Sequence, residues 1–367
     1  MHFRWNYEKP TPEQSQVAKE LAAKLCISPV LTSLLVKRGV TTECAAKRFF
    51  RPQLADLINP FVMKDMDIAV ERLNDAMGRK ERILVYGDYD VDGCTAVALV
   101  YKFLRQYYSN IDYYIPDRYD EGYGVSNRGI DYAKQTGVKL IIILDCGIKA
   151  IEEIAYAKSL GIDFIVCDHH MPDEQLPNAV AILNPKQDND PYPFKDLCGC
   201  GVGFKFMQAF AKNNGIPFSR LIPLLDFCAV SIAADLVPVV DENRILAFHG
   251  LKQLNQNPSI GLKAIIDTCG LTGRELSMSD IVFKIGPRIN ASGRMESGRE
   301  SVDLLVERDF GVALQEAKHI DLYNEQRKDV DRHMTEEANQ IVARLDTQKH
   351  QSSIVLYDEG WKKGVIG

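Results

Sequence analysis

Three short apolar runs in the first half of the chain each end on an acid. Arg82-Ile-Leu-Val-Tyr86 leads into Gly87-Asp88-Tyr89-Asp90-Val91-Asp92-Gly93. Lys139-Leu-Ile-Ile-Ile-Leu144 leads into Asp145-Cys146-Gly147, and Ile162-Asp-Phe-Ile-Val-Cys167 into Asp168-His169-His170. Runs of this length and apolarity read as strands covered on both faces. Helical patterns alternate with them. Ala96, Val100, Phe103 and Tyr107 share one face of a segment from Thr95 to Tyr108, and a second helix spans about 149–160. Shorter strands are expected at Asp112 to Ile115 and Asn178 to Leu183. Strands alternating with helices give an α/β fold with a parallel sheet. In such a sheet the carboxyl ends of the strands share one edge, where ligands bind. The acids and imidazoles therefore converge, although they lie up to 82 positions apart (170 minus 88).

Convergence has an electrostatic consequence. Five carboxylates and two imidazoles crowded together repel unless cations lie between them. Oxygen donors with one or two imidazoles suit Mn²⁺ or Mg²⁺ better than Zn²⁺. Asp90 and Asp92 can reach separate ions, and Asp145, central in the cluster, can bridge two. A pair of ions ~3.5–4 Å apart clamps both the attacking and leaving oxygens of a phosphoryl displacement. Each motif alone has a plainer reading. Asp-x-Asp-x-Asp-Gly occurs in calcium loops, but the position that needs a Glu there is Leu99. Asp145-Cys-Gly can cap a helix, and a His-His pair can be surface or core. What favours metal is the conjunction of all three at strand ends.

The net charge of −6 and pI of about 5.7 count against a nucleic-acid binder, since phosphate contacts want Lys and Arg. A carboxylate-rich metal site, however, carries its acids before its ions are counted. The nine cysteines are scattered without a Cys-x-x-Cys pair. Cys198-Gly-Cys200 lacks the second half of a zinc site, so all nine are expected as thiols. No apolar run nears the ~20 residues that span a bilayer. The first ten residues lack the apolar core of a secretory signal, so the expected setting is cytoplasmic.

Four regions are expected: a helical N-terminal region (1–75), a catalytic core with the parallel sheet (76–240), a helical region ending in a connecting helix (241–345), and the start of a further domain (346–367). In the first, Val17, Leu21 and Leu25 form one stripe and Leu31, Leu34 and Leu35 another. Val312 to Leu345 is polar and charged, with little continuous apolar face, as in a helix joining two domains. Ser352 to Tyr357 reads as a strand opening a domain that stops ten residues later, so the C-terminal domain is expected to be truncated. Gly286-Pro-Arg-Ile-Asn-Ala-Ser-Gly-Arg294 places Arg288 and Arg294 beside Asn290 and two glycines. Guanidinium forks match phosphate, and glycines admit close backbone approach; the plainer reading is a surface turn. Arg118, just past a strand, can hold a terminal phosphate, and Tyr123 between glycines can stack on a base or simply pack on its domain.

Val85-Tyr-Gly-Asp-Tyr-Asp-Val-Asp-Gly93, Asp145-Cys-Gly147 and Asp168-His-His170 resemble the first three motifs of the DHH phosphoesterases. Ala234-Asp235-Leu-Val-Pro238 resembles the fourth. Within the family the chain is similar to the RecJ branch, single-strand-specific 5′-to-3′ exonucleases of recombination and repair. Tyr86 stands where many relatives carry a histidine. Asp117-Arg118 with Glu121-Gly-Tyr-Gly124, and the 286–294 segment, match the branch as well. The resemblance implies two divalent ions, Mn²⁺ or Mg²⁺. It implies Asp90 and Asp92 on separate ions, Asp145 between them, His169 and Asp235 on the second site, and Asp88 beside the first. His170 would contact the scissile phosphate or orient His169. Single-stranded DNA is the implied partner, with a single-strand-binding protein and a RecQ-type helicase as associates. Glu359 to Gly367 resembles the opening of the DHH-associated domain that closes the substrate groove. Two other functions remain: a phosphodiesterase of short oligoribonucleotides or cyclic dinucleotides, and a non-catalytic DNA-binding scaffold that would be expected to have lost these acids.

Overall fold

The computed structural model describes residues 4, 8–344, 353–362 and 364–365. Its centre is a five-stranded, wholly parallel sheet in the order β2-β1-β3-β4-β5. The strands are β1 (Arg82–Gly87), β2 (Ile111–Tyr114), β3 (Val138–Leu144), β4 (Asp163–Cys167) and β5 (Ala181–Leu183). Alternation along each strand divides its side chains between two cores. Ile83, Val85, Leu140, Ile142, Ile165 and Cys167 face one core, under helices Val91–Leu104 and Gly199–Asn213. Leu84, Tyr86, Ile141, Ile143, Phe164 and Val166 face the other, under Asn127–Gln135 and Ile151–Ser159. Both faces are thus covered, which is why these runs carry almost no polar residue.

Register fixes the site. Gly87 pairs with Leu144, and Leu144 with Cys167. Asp88, Asp145 and Asp168 are the next residues on three adjacent strands. The pairing continues past them, with the Asp145 amide donating to Cys167 O (2.9 Å) and the Asp168 amide to Leu183 O (3.0 Å).

Several sequence expectations need correcting. The helix expected from Thr95 begins at Val91, because Asp90 caps it by accepting from the Gly93 amide at 2.9 Å. Its expected fourth contact, Tyr107, lies past the helix end and is 42% exposed. Of the stripe Leu31, Leu34 and Leu35, only Leu35 is buried, since helix Pro29–Lys37 turns a single edge to its neighbours. Residues 286–294, for which a surface turn was the plainer reading, form helix Gly286–Met295, which continues directly from the π-helical turn Ile281–Ile285 with Pro287 just past the junction. The long helix, Phe310–Arg344, does pack along its first half, through Ala313, Ala317, Ile320 and Asn324 at helical spacing. The strand expected at 352–357 does not form; residues 353–357 have no strand partner among the described residues, and Val355 is 93% exposed. Ser352 lies outside the described residues. The cysteines are all free thiols. No helix of the described residues is long and apolar enough to cross a membrane.

The helical N-terminal region joins the core partly through a buried ion pair. Lys205 Nζ meets Glu242 Oε1 at 3.0 Å with both side chains almost fully buried. Lys205 also donates to Ile58 O, and Glu242 accepts from the Ile58 amide and the Tyr192 hydroxyl. The pair therefore ties the segment at residue 58 to helices 199–213 and Asp241–Gln256.

Candidate metal centre

Three of the expected carboxylates meet around one imidazole. His169 Nε2 lies 3.1 Å from Asp145 Oδ1, 3.7 Å from Asp92 Oδ2 and 3.7 Å from Asp235 Oδ2. Two donor sets result, Asp145 with His169 and His170, and Asp92 with His169 and Asp235. Within each, the ligand atoms lie within 4.8 Å of one another. Asp235 comes from the end of helix Leu225–Ala234, not from the sheet. Asp88 and Asp90 enter from the turn after β1.

The backbone aims these groups. Asp145 adopts a left-handed conformation (φ 61°), costly for a residue with a side chain, which turns the chain sharply off β3. Asp92 sits in the first turn of its helix and faces the start of another. Its Oδ2 accepts from the Gly199 amide and its Oδ1 from the Cys200 amide, both at 2.7 Å, and Oδ1 also accepts from Ser231 Oγ at 2.7 Å. Asp168, not among the expected ligands, is the anchor of the histidine pair. Its Oδ1 accepts from the amides of His169 (2.7 Å) and His170 (3.1 Å) and meets His170 Nδ1 at 2.8 Å; Oδ2 accepts from Ile148 N at 2.9 Å. Asn184, just past β5, donates to His170 O at 2.9 Å.

The charges are unbalanced. Burial, then the charge of Asp90, pushes the Asp88 carboxyl up to about 7. Burial, then Asp92 and Asp90, pushes Asp235 up to about 7. Asp145 is raised well above the carboxylate range by burial and its acidic neighbours, and Asp90 is raised for the same reasons. Burial lowers His169, which keeps its ring neutral as a ligand requires. Burial opposes ionisation of Asp168, but His170 and the Ile148 amide hold it below its usual value. His170 is raised in turn by its hydrogen bond to Asp168.

The buried atoms Asp88 Oδ1, Asp145 Oδ1, His169 Nδ1 and His169 Nε2 have no hydrogen-bond partner. Asp145 Oδ1 and His169 Nε2 stand 3.1 Å apart without forming such a bond. Buried polar atoms left without partners in a dry pocket are expensive, and a cation held by the carboxylate oxygens and the lone pair of the neutral ring would satisfy them. The residues present therefore fit oxygen- and nitrogen-coordinated divalent ions.

A cationic rim surrounds the acids. Arg118 acts on Asp88, Lys186 on Asp235, and Arg294 feels Asp90 and Arg118. Lys186 was not singled out by sequence; the signal was its place just beyond β5, whose end joins the same edge. The Arg118 guanidinium lies 4.9 Å from the centre of the Tyr89 ring. Tyr123 is 57% exposed, edge-on to Tyr89 and to His170 (6.3 Å each), with its hydroxyl donating to Asp145 O at 3.4 Å. Its loop is pinned by Tyr86, which donates to Gly124 O (3.0 Å) and accepts from Ser126 N (3.2 Å). Glu121 adds bonds to Tyr114, Asp117 N and Ser126.

The arginine segment is less open than expected. Arg288 pairs with Asp321 of the long helix at 2.8 Å and donates to Lys284 O at 2.8 Å. Asn290 is half-buried without a hydrogen bond, and Arg294 donates to Gly364 O at 3.1 Å. Gly293 serves packing here: a Cβ there would lie 2.8 Å from Tyr89 O.

Residues 82–232 match the DHH family, N-terminal domain. Over the full chain the sequence is 40% identical to the single-stranded-DNA-specific exonuclease RecJ of Bacillus subtilis, of whose length it covers 45%. The crystal structure of RecJ with Mn²⁺ from Thermus thermophilus superposes with a TM-score of 0.80 at 25% identity, over 95% of this chain and 49% of that one. A crystal structure of exonuclease RecJ bound to manganese gives 0.75 at 28% identity, over 85% and 77%. The chain thus spans about half the length of the Bacillus relative and of the Thermus structure.

Proposed function

The chain belongs to the DHH family and resembles RecJ nucleases from end to end, and on that premise we propose that it hydrolyses phosphodiester bonds of single-stranded DNA with two divalent cations, Mn²⁺ or Mg²⁺. The observation that carries the reading is the meeting of Asp92, Asp145 and Asp235 around the neutral His169. Asp88, Asp90, Asp92, Asp145, His169 and Asp235 would hold the ions. Bound there, such ions supply Lewis acidity and a nucleophile at neutral pH.

The rest of the work falls to the chain. Asp145 lies 3.1 Å from His169, the residue both donor sets share, and by the resemblance it would bridge the two ions. His170, whose ring is drawn toward its protonated form by the hydrogen bond to Asp168, would contact the scissile phosphate or orient His169. Arg118 and Arg294 neutralise phosphate charge at the rim, with Arg118 backed by the Tyr89 ring. Tyr123, exposed between two left-handed glycines, offers a face on which a base stacks. Arg288 reaches a phosphate only by exchanging Asp321 for it, and Asn290 lies on the same helix. Digestion from the 5′ end, a role in recombination and repair in the cytoplasm, and contact with a single-strand-binding protein and a RecQ-type helicase follow from the resemblance.

The test is degradation of an end-labelled single strand against the matching duplex in Mn²⁺, with label at either end. Release of mononucleotides from the 5′ end of the single strand alone is expected. Equal attack on the duplex, or metal binding without hydrolysis, would overturn the proposal, the latter in favour of a binding scaffold. Preference for a dinucleotide over a long strand would point to the oligonucleotide phosphodiesterases.

A further inference from the structure

Away from the metal centre, the seam between the N-terminal helices and the core holds a cavity of about 890 Å³, and the N-terminal region alone lines a second of about 640 Å³. Arg48 and Asp56 line both, so the two adjoin along one basic surface. Six cations line it: Lys24, Arg38, Lys47, Arg48, Arg51 and Arg244. Only three carboxylates do, and one of them, Glu242, is already neutralised by the buried Lys205. On a chain of net charge −6 this is a strong local reversal of sign. Among the described residues neither Arg48 nor Arg51 has an ion-pair partner, and both are exposed. Lys47 alone of the helix's cations is paired, with Glu43.

Aromatic rings alternate with the cations. The Arg244 guanidinium covers the Phe49 ring at 3.7 Å from its centre, and Phe50, edge-on to Phe49, is 52% exposed. Arg244 also donates to Phe49 O at 2.5 Å, which leaves Arg48 and Arg51 as the free cations beside the exposed Phe50 ring; cations beside an exposed ring are the arrangement that holds single strands without reading their sequence. The groove's wall also includes the segment that follows Asp235: Pro238, Val239 and Val240 line it, and Asp235 stands three residues before Pro238. Three trans peptide steps bring the Cα atoms of 235 and 238 within about 11 Å.

We propose that this seam is a track for a single nucleic-acid strand, taking its phosphates on Arg48, Arg51 and Arg244 and a base on Phe50. The inference deepens the nuclease reading and rests on it for the identity of the strand. It assigns the N-terminal helices a binding role separate from the metal ligands and from Arg118, Arg288 and Arg294.

The experiment measures binding of a labelled long oligonucleotide to the Arg48→Gln/Arg51→Gln variant by fluorescence anisotropy over a series of salt concentrations. Both side chains are exposed and unpaired, so the fold persists; Lys24→Gln/Arg51→Gln is a second variant should melting show otherwise. Loss of two phosphate contacts lowers the slope of log K against log salt by about 1.4 for a single strand. Mn²⁺ affinity and binding of a trinucleotide, which is confined to the metal centre, should stay unchanged. An unaltered slope with the parent still binding long strands sinks the track and leaves the nuclease reading standing. A parent that binds no strand sinks both. Displacement of the strand by poly-glutamate at equal charge concentration would reassign the groove to an acidic protein.

Discussion

Replacing Gly199 by alanine should cripple the metal centre from outside its ligand set. A Cβ at this position would lie 2.6 Å from both Cβ and Oδ1 of Asp145. Ordinary contact begins at 3.4 Å, so one partner must retreat by 0.8 Å (3.4 minus 2.6). Asp145 has little room to yield, because its backbone is held left-handed and its amide is bonded to Cys167 O at 2.9 Å. If helix 199–213 moves instead, the two 2.7 Å amide bonds to Asp92 stretch. Either route displaces a carboxylate from His169. Loss of groups that orient metal ligands typically costs about 10- to 100-fold in metal affinity, or roughly 1.4–2.7 kcal/mol. Overpacking adds roughly 1–3 kcal/mol of destabilisation. Calorimetric Mn²⁺ titration reads the first effect and urea unfolding the second. Gly203→Ala on the same helix is the control, since its Cβ meets only the side-chain tips of Leu144 (3.0 Å) and Val100 (3.3 Å). Equal Mn²⁺ affinity in Gly199→Ala and the parent would refute the close-approach argument.

Other substitutions test separate parts of the structure. Asp145→Ala should abolish hydrolysis and raise the melting temperature of metal-free protein, because it removes a buried carboxyl among like charges; retained turnover would end its bridging role. Asp88, with a folded value near 7 against the ordinary 3.8, favours folding most at low pH, and that contribution is lost as pH rises through about 7. The rise from 3.8 to about 7 amounts to about 4 kcal/mol. Metal-free melting temperatures should therefore fall with rising pH across this window, less so in Asp88→Asn, and Mn²⁺ affinity should rise; a flat profile would contradict the assignment. Lys205→Met leaves Glu242 buried without its cation and should cost about 3–5 kcal/mol in urea unfolding, while a negligible loss would mean the carboxyl is neutral in the folded chain. Arg288→Ala should weaken strand binding and flatten its salt dependence, provided the arginine trades Asp321 for phosphate; an unchanged slope would assign it to helix packing alone.

The ends of β1, β3 and β4 were legible because two physical signals coincide there. Unbroken apolarity marks strands covered on both faces, and a parallel sheet sends their ends to one edge. The residues that orient the ligands were hidden. Gly199, Cys200 and Ser231 reach Asp92 from more than a hundred positions away, through a helix start that resembles any other in sequence. Asp168 could be read as part of a motif, but not as the single carboxyl that seats both histidines. Residues 286–295 left a turn open as the plainer reading because Gly and Pro usually interrupt helices, whereas here Gly293 admits the Tyr89 backbone and Pro287 follows a π-helical turn. The failed strand at 353–357 marks the limit of local pattern, since a strand exists only beside another.

The in-register ends of three neighbouring strands act as a ruler. Asp88, Asp145 and Asp168 are spaced by the ladder itself, whose rungs lie ~4.8 Å apart and whose hydrogen bonds no ion can rearrange. The footing of Asp145 and of the histidine pair is thus inherited from backbone geometry, while Asp92 and Asp235 reach in from helices. Retuning the centre for a larger or smaller ion must come from side-chain reach, as when an aspartate becomes a glutamate, while the scaffold beneath keeps its measure.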